Sequence, residues 1–375
     1  MSFLRVGILA DKDTACTGFS IVCGHLAREL ARYNLEVYYF GRFGCNKGYG
    51  EPELHRNYMY VPCEGGVWNQ QLVVELIDKF KLDAIFTEDD WYSAEGMKNA
   101  CWFWKKPFYF HTPIDSIPVQ PKGLMLLRDC TAVFVPTVGA QIYLKGQNIP
   151  STYLPHGVDS QYFRPFNVPD RPDNFTFVWI GRDSQRKALG RALLAFMMLL
   201  KDGYDASLII RTDWGTGEAQ RTLRYINKQR IPNIIKEQFE DGPHEDVATT
   251  YNRGDCFLCT AKAGGFELGV IEAGACGLPV LVTNHTFMNE QVVHGKSGYL
   301  ISLEKHTRSR YGSIWGAISI PHLYERMRYY LDNSNIAKQH GNYGMVFVNK
   351  NYRWSRSGKI LYEAITNEAN TSLPK

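Results

Sequence analysis

Short apolar segments and longer segments with helical spacing alternate along most of this 375-residue chain. Residues 4–10 are almost entirely apolar, as expected for a strand that is buried on both faces. In the next segment, Val22, Leu26 and Leu30 recur at the spacing of one helix face. Strands that alternate with helices predict parallel βαβ units, so we expect an α/β fold with doubly wound parallel sheets.

The alternation is interrupted once and then resumes. Residues 162–174 contain three prolines and no periodic pattern, which is typical of a linker. Strand and helix patterns resume from residue 175, so we predict two Rossmann-like domains, 1–165 and 166–345, followed by a helical segment, 346–375. Ligands of such sheets bind beyond the carboxyl ends of the strands, so two facing sheets predict a cleft. The basic and aromatic stretch 302–322 is predicted to be an irregular inserted loop.

The composition of the chain limits which binding partners and which cellular compartment we expect. The chain has 42 basic and 38 acidic residues, a surplus too small to predict a nucleic-acid partner. No apolar run reaches the ~18 residues of a membrane span, and the first residues lack a signal-peptide pattern. Nine cysteines, an odd number, favour reduced thiols. We therefore expect a soluble cytoplasmic protein with no transmembrane segment, for which peripheral membrane contact stays open.

One pair of cysteines has the spacing of a metal-binding motif. Cys256 and Cys259 form C-x-x-C, but no second pair or histidine at ligand spacing follows. The surrounding segment alternates as a strand does. We therefore interpret both as core residues and predict no metal site.

A basic turn follows the first strand of the second domain. In "VWIGRDSQRKALG", Gly181 ends the strand, and Arg182 and Lys187 bracket a polar turn before a helix. Backbone N–H groups at a helix start favour an anion, and the two side chains supply charge for a diphosphate. Alternatively, this is a solvated basic turn in which Ser184 or Asp183 caps the helix. Arg186 is predicted to be a surface residue.

An ordered series of motifs gives a more specific resemblance. A "GR" pair is followed by four residues and then a lysine, and about eighty residues later by "FELGVIEAGACGLPVLVTN". The segment "LPHGVDSQYFRP" precedes these motifs, and "HGKSGYLI" and "NYRWSRSGKILYEAI" follow them. The series resembles the family 4 glycosyltransferases of the GT-B fold. The resemblance implies a retaining transferase that takes a sugar from a nucleoside diphosphate sugar, a UDP- or GDP-sugar, to a carbohydrate, lipid-linked or other acceptor. It also implies no further cofactor, no metal, an acceptor-side domain at 1–165, a nucleotide-sugar domain at 166–345 and a C-terminal helix that crosses back.

The family motif has two glutamates eight positions apart. Glu272 matches the second, which in the family binds the ribose hydroxyls, and a carboxylate suits such a diol. Gly264 stands in place of the first, which in the family contacts the donor sugar, and Glu267 lies three residues later. Either Glu267 takes over this contact or backbone N–H groups hold the sugar. The predicted donor-binding residues are Gly18, Gly181, Gly264, Gly265, Phe266, Glu267, Leu268 and Glu272.

Two positions of the first domain also resemble family residues. Gly18 lies between a strand and a helix, where the family has a glycine-rich loop near the diphosphate. His111 ends a strand and resembles the histidine that contacts the reacting sugar, so the predicted catalytic residues are Arg182, Lys187 and His111. Asp115 and Asp13 are acceptor-side candidates.

The substitution at Gly264 leaves two functions open. The first is a retaining hexosyltransferase, which the surviving phosphate pair and ribose glutamate favour. The alternative is a catalytically inactive protein of the same fold that binds sugar nucleotides.

Overall fold

The structure is a computed structural model that describes residues 3–15, 17–215, 217–238, 244–309 and 312–371. It forms two compact units. The first unit takes the chain up to Ile114, then Val119–Gly157 and the chain from Arg353, and the second takes Asp115–Pro118 and Val158–Tyr352. The sequence places the divisions at 165 and 345 instead. Val158 and Phe163 explain the first difference, because both are buried in the core of the second unit.

The elements are numbered in chain order. The strands of the first unit are β1 Leu4–Asp11, β2 Leu35–Cys45, β3 Glu53–His55, β4 Tyr58–Glu64, β5 Ala84–Glu88, β6 Phe108–His111, β7 Ala132–Val135 and β8 Thr152–Tyr153. Those of the second are β9 Phe175–Ile180, β10 Ala206–Thr212, β11 Ile234–Gln238, β12 Cys256–Cys259, β13 Val280–Thr283, β14 Gly298–Ile301, β15 Leu303–Arg308 and β16 Ile314–Ile318. The α-helices are α1 Gly18–Leu30, α2 Gln70–Phe80, α3 Glu95–Phe103, α4 Pro121–Arg128, α5 Val138–Gly146, α6 Leu189–Lys201, α7 Gly217–Gln229, α8 His244–Asn252, α9 Leu268–Ala275, α10 Ile320–Asp332, α11 Ser334–Asn351 and α12 Trp354–Thr371.

The first unit is built on an eight-stranded sheet in the order β3-β4-β2-β1-β5-β6-β7-β8. Its neighbouring strands are parallel except for the short antiparallel pair β3–β4. Helix α1 begins after Thr17, whose side chain forms a reciprocal capping box with Ser20. Gly18 is therefore the first residue of this helix.

The C-terminal helix belongs to the first unit. Helix α12 lies against α1, and Tyr362 of α12 stacks on Tyr33, just beyond the end of α1, with their ring centres 4.2 Å apart. The sequence assigns 346–375 to this segment, but α11 continues to Asn351, and α12 begins at Trp354. Residues 372–375 lie outside the described residues.

The second unit is built on a six-stranded parallel sheet in the order β11-β10-β9-β12-β13-β14. Alternate residues of its strands enter two different cores, as the two-residue period of a strand requires. Val178 and Ile209 pack on one face with α9, whereas Phe177 and Leu208 pack on the other with α6. The predicted doubly wound architecture is present in both units.

The prediction of an irregular loop at 302–322 is wrong. This stretch forms a hairpin in which β15 pairs antiparallel with β16, and Ser319 then caps α10. The exposed polar side chains of β15 removed the apolar signal of a strand. Residues 310 and 311 lie outside the described residues.

The predictions of reduced cysteines and of no transmembrane segment can be compared with the described residues. The eight cysteines within the described residues are free, and Cys256 and Cys259 are buried in β12. In the described part of the chain, every helix is too short or too polar to cross a membrane.

Candidate functional site

The central strands of the second sheet bring two loops together. Strand β9 lies between β10 and β12 in this sheet. The chain continues from β9 to β10 on one side and reaches β12, on the other side, only later, so the strand order reverses at β9. Ligands of open α/β sheets bind at such a switch point, beyond the carboxyl ends of the strands. The turn 181–188 follows β9 and the segment 260–267 follows β12. Lys262 N–H donates to the Arg186 carbonyl at 2.7 Å and so joins the two loops.

The basic turn has a fixed backbone. Gly181 has a φ of +151°, which favours glycine over residues with a side chain. Asp183 N–H donates to Thr212 Oγ1 at 3.0 Å, and Lys187 N–H donates to Ser184 Oγ at 3.3 Å. Because α6 begins only at Leu189, both Arg182 and Lys187 precede the helix.

Lys187 and Arg186 both contact the carboxylate of Glu267. Lys187 Nζ forms an ion pair with Glu267 Oε2, and Arg186 Nη1 lies 3.3 Å from Oε1. Arg186 Nη1 also donates to the Ala263 carbonyl at 2.7 Å. The prediction of Arg186 as a surface residue therefore misses a contact of the site. Arg182 is exposed and has no hydrogen bond or ion pair with the described residues.

The carboxylate of Glu267 lies where a side chain of residue 264 would begin. A Cβ atom on Gly264 would be 2.5 Å from Glu267 Oε1 and 3.3 Å from Cδ and Cγ. The backbone of Gly264 lies outside the left-handed region, so a side chain there would be opposed by the neighbouring carboxylate, which would have to shift. Only 7% of Glu267 is exposed.

The main chain of Glu267 is also held on both sides. Its N–H donates to Gln291 Oε1, and Gln291 Nε2 donates to its carbonyl, both at 2.9 Å. Glu267 precedes the first residue of α9 and makes no capping hydrogen bond through its side chain. Its carboxylate therefore contacts the two cations rather than the start of the helix.

Asp115 belongs to the second unit and lies at the glycine loop. Its Oδ1 accepts a hydrogen bond from Gly265 N–H at 2.8 Å, and its Oδ2 is 3.8 Å from Arg186 Nη1. Sequence reasoning predicts Asp115 only as an acceptor-side candidate, because this contact joins segments that are far apart in the chain. Phe266 contacts Tyr352 edge-on, with ring centres 5.6 Å apart, and Leu268 packs against the core.

Glu272 lies further along α9. It accepts a hydrogen bond from Tyr251 Oη at 3.1 Å. Burial raises the pKa of Glu272 to about 7, although the hydrogen bond from Tyr251 acts to lower it. A polar group that approaches with hydroxyl donors would favour the ionised carboxylate.

In the first unit, His111 is part of a buried network. The register pairs Glu88 with His111 at the ends of β5 and β6, and Glu88 Oε2 lies 2.9 Å from His111 Nδ1. Glu88 Oε1 lies 3.0 Å from His156 Nε2. Burial acts to raise the pKa of Glu88, but the charges and hydrogen bonds of the two histidines outweigh it and lower this pKa to about 2.

This network has two consequences for the predicted site. His111 has no exposed surface, and its predicted contact with a sugar stays a prediction. The ligand atoms of Glu88, His111 and His156 lie within 4.8 Å of one another, a grouping able to hold a metal ion that sequence spacing did not reveal. Their separations are those of hydrogen bonds between a carboxylate and two rings.

The comparisons with known proteins agree with this architecture. Residues 163–330 match the family model of glycosyl transferases group 1. The chain is 26% identical over 129 residues to the capsular polysaccharide biosynthesis glycosyltransferase CapM of Staphylococcus aureus, which covers 34% of this chain and 33% of CapM. This chain spans between about a third and about half of the length of the first curated relatives that it matches.

Solved structures match nearly the whole chain. A sucrose-phosphate synthase from Thermosynechococcus elongatus superposes with a TM-score of 0.78 at 15% identity, covering 98% of this chain and 100% of that one. Anabaena HepE in complex with UDP and glucose gives a TM-score of 0.74 at 13% identity, with 99% and 100% covered. The chain therefore has the GT-B fold of these glycosyltransferases. The match of residues 163–330 to the group 1 model and the relatives named as glycosyltransferases confirm the resemblance found in the sequence.

Proposed function

We propose that this chain is a retaining hexosyltransferase that moves a sugar from a nucleoside diphosphate sugar to an acceptor without a metal ion. One observation carries the proposal. A carboxylate fills the space beside Gly264 and is held there by Lys187 and Arg186. The site thus keeps an acidic group next to its cations, although the residue that bears it has moved three positions.

Each part of the donor has a proposed partner. Arg182 and Lys187 hold the diphosphate and stabilise it as it leaves, because cations at developing negative charge accelerate such reactions. For Lys187 this means exchanging part of its pairing with Glu267 for phosphate oxygens. Glu267 accepts hydrogen bonds from the donor sugar, and Glu272 accepts them from the ribose hydroxyls.

The reaction breaks the bond between the anomeric carbon and the phosphate oxygen and forms a bond to the acceptor oxygen on the same face. The acceptor proton passes to the departing phosphate, so no protein base is required. His111 and Gly18 are proposed to contact the reacting sugar and the diphosphate, respectively. The acceptor is a carbohydrate, a lipid-linked sugar or another hydroxyl compound, and the free cysteines support a cytoplasmic location.

The relatives support a particular order of donors. HepE was solved with UDP and glucose and, separately, with UDP-glucose. We therefore propose a UDP-hexose first and a GDP-hexose second. The identity to HepE is 13%, so the support concerns the fold that holds the donor.

The second candidate is a sugar-nucleotide binding protein without transfer activity. Gly264 favours it, because the glutamate at this position in related motifs is absent. The two candidates share the nucleotide contacts and differ in turnover.

Thermal unfolding with a panel of UDP-, GDP-, ADP- and TDP-sugars tests the donor assignment. A ligand at a hundred times its Kd should stabilise the protein by about 2.7 kcal/mol. We expect one base to stabilise the wild type and Glu272→Gln to reduce the effect. If no nucleotide sugar stabilises the wild type, both candidates are wrong.

A further inference from the structure

Three consecutive aromatic residues lie on the surface where α3 ends. Trp102 is 82% exposed, Phe103 is 59% exposed and Trp104 is 39% exposed. These three residues are called the aromatic edge. Exposed apolar groups of this size on a folded protein usually mark a place where something else binds.

The packing of α3 does not require these side chains. Its buried face is formed by Met97, Ala100 and Cys101, at the spacing of one helix face. Phe103 and Trp104 contact each other edge-on at 5.5 Å between ring centres. The aromatic edge is therefore additional to the core.

One ring of the aromatic edge is anchored. Trp104 Nε1 donates to the Val74 carbonyl of α2 at 3.2 Å, which fixes the orientation of this indole. Trp102, beside it, has most of its surface in solvent. A fixed ring next to a projecting one presents apolar surface without the loss of much side-chain entropy on binding.

The charged residues that directly follow the aromatic edge in the chain are basic. Residues 96–107 contain no acidic residue, and Lys105 and Lys106 follow Trp104 directly. Lys106 pairs with Asp83 at 3.3 Å, and Lys98 of α3 pairs with Asp129 at 3.0 Å. Lys105 is exposed and has no ion pair with the described residues, so its charge is available to an anionic partner.

We propose that the aromatic edge inserts into the interface of a lipid bilayer and that Lys105 favours bilayers with anionic headgroups. Tryptophan and phenylalanine rings suit the boundary between headgroups and acyl chains, and a nearby lysine adds attraction to an anionic surface. A second copy of the chain fits less well. The exposed area of the three rings is roughly 300–400 Å², about half of what each partner buries in a stable interface.

The proposal is tested by flotation of the purified full chain with vesicles. One set contains phosphatidylcholine alone, and the other contains equal parts of phosphatidylcholine and phosphatidylglycerol. Trp102→Ser should lower the partition coefficient about tenfold for both sets, since it removes a large apolar side chain. Lys105→Gln should lower it about fivefold for the mixed vesicles only. Leu54→Ser, which replaces a residue of β3 that is 74% exposed, is the matched control and should leave binding unchanged.

A second readout needs no substitution. Vesicles with brominated acyl chains should quench part of the tryptophan fluorescence of the wild type, because Trp102 enters the interface. The buried Trp68 and Trp179 should not be quenched. Absence of binding at low salt, or equal binding of wild type and Trp102→Ser, overturns the proposal. So does a lipid-free dimer that Trp102→Ser converts to a monomer, because the aromatic edge would then bind a second copy.

Discussion

Exchanging the residues at positions 264 and 267 tests how the carboxylate of the site is placed. The perturbation is a set of three variants: Gly264→Glu, Glu267→Gly and the double variant. Gly264→Glu should be poorly accommodated, because its Cβ would lie 2.5 Å from Glu267 Oε1. In the double variant this obstacle is gone, and the carboxylate returns to the position it has in related motifs.

The magnitude follows from the contacts of Glu267. A hydrogen bond to a charged group contributes about 1.5–3 kcal/mol, so Glu267→Gly should weaken binding of the intact nucleotide sugar ten- to a hundredfold. Free nucleoside diphosphate should bind at least as well as before, because Lys187 and Arg186 lose a partner that neutralises them. The change removes no helix cap, since the Glu267 side chain makes no capping hydrogen bond.

The assay is calorimetric titration of each variant with the intact nucleotide sugar and with its nucleoside diphosphate. The double variant should recover affinity for the sugar, with a coupling of at least about 1.5 kcal/mol between the positions. Glu272→Gln is the control and should weaken both ligands, because each carries the ribose. Strictly additive losses in the double variant, or equal losses for both ligands in Glu267→Gly, would refute the assignment of Glu267 to the donor sugar.

Three further predictions concern the phosphates, the metal and the ribose. Arg182→Ala and Lys187→Ala should each lower transfer by about 100-fold or more while the melting temperature stays near that of the wild type; near-normal rates would contradict the phosphate assignment. Activity should persist in excess EDTA, and a loss that added magnesium or manganese reverses would show that a metal takes part. Burial raises the pKa of Glu272 to about 7. Protonated Glu272 therefore stabilises the folded chain in full at pH values below the ordinary pKa of a glutamate, and this stabilisation is lost as the pH rises through about 7. Ribose hydroxyls favour the ionised form, so nucleotide affinity, measured by titration calorimetry, should fall about tenfold per pH unit below about pH 7, and Glu272→Gln should remove this dependence.

Much of the fold was predictable because strands buried on both faces are largely apolar. β1, β9 and β13 are of this kind. The hairpin of β15 and β16 was not predictable in this way, because β15 exposes polar side chains. Only its antiparallel pairing with β16 identifies it as a strand. The strand pair β3–β4 was missed as well, and β3 is short and largely exposed.

The residues of the site were likewise predictable where a local motif marks them and not where long-range contacts decide. A motif with fixed spacing singled out Lys187, Glu267 and Glu272, and they lie in the turn before α6, just before α9 and within α9, respectively. The roles of Arg186 and Asp115 depend on contacts between segments that are far apart in sequence, such as the hydrogen bond from Gly265 to Asp115. No local pattern reveals such contacts. The close approach of the Glu267 carboxylate to position 264 likewise becomes visible only in the folded structure.

Transfer with retention is tested by proton NMR of the donor's anomeric signal, followed over time with wild-type protein and an acceptor mixture. We expect that the signal of the stabilising donor decays, that free nucleoside diphosphate accumulates, and that a product signal of the same anomeric configuration appears. Lys187→Ala should slow all three changes together. A donor that binds and stabilises the protein but stays intact would contradict catalysis, and a product of inverted configuration would contradict retention.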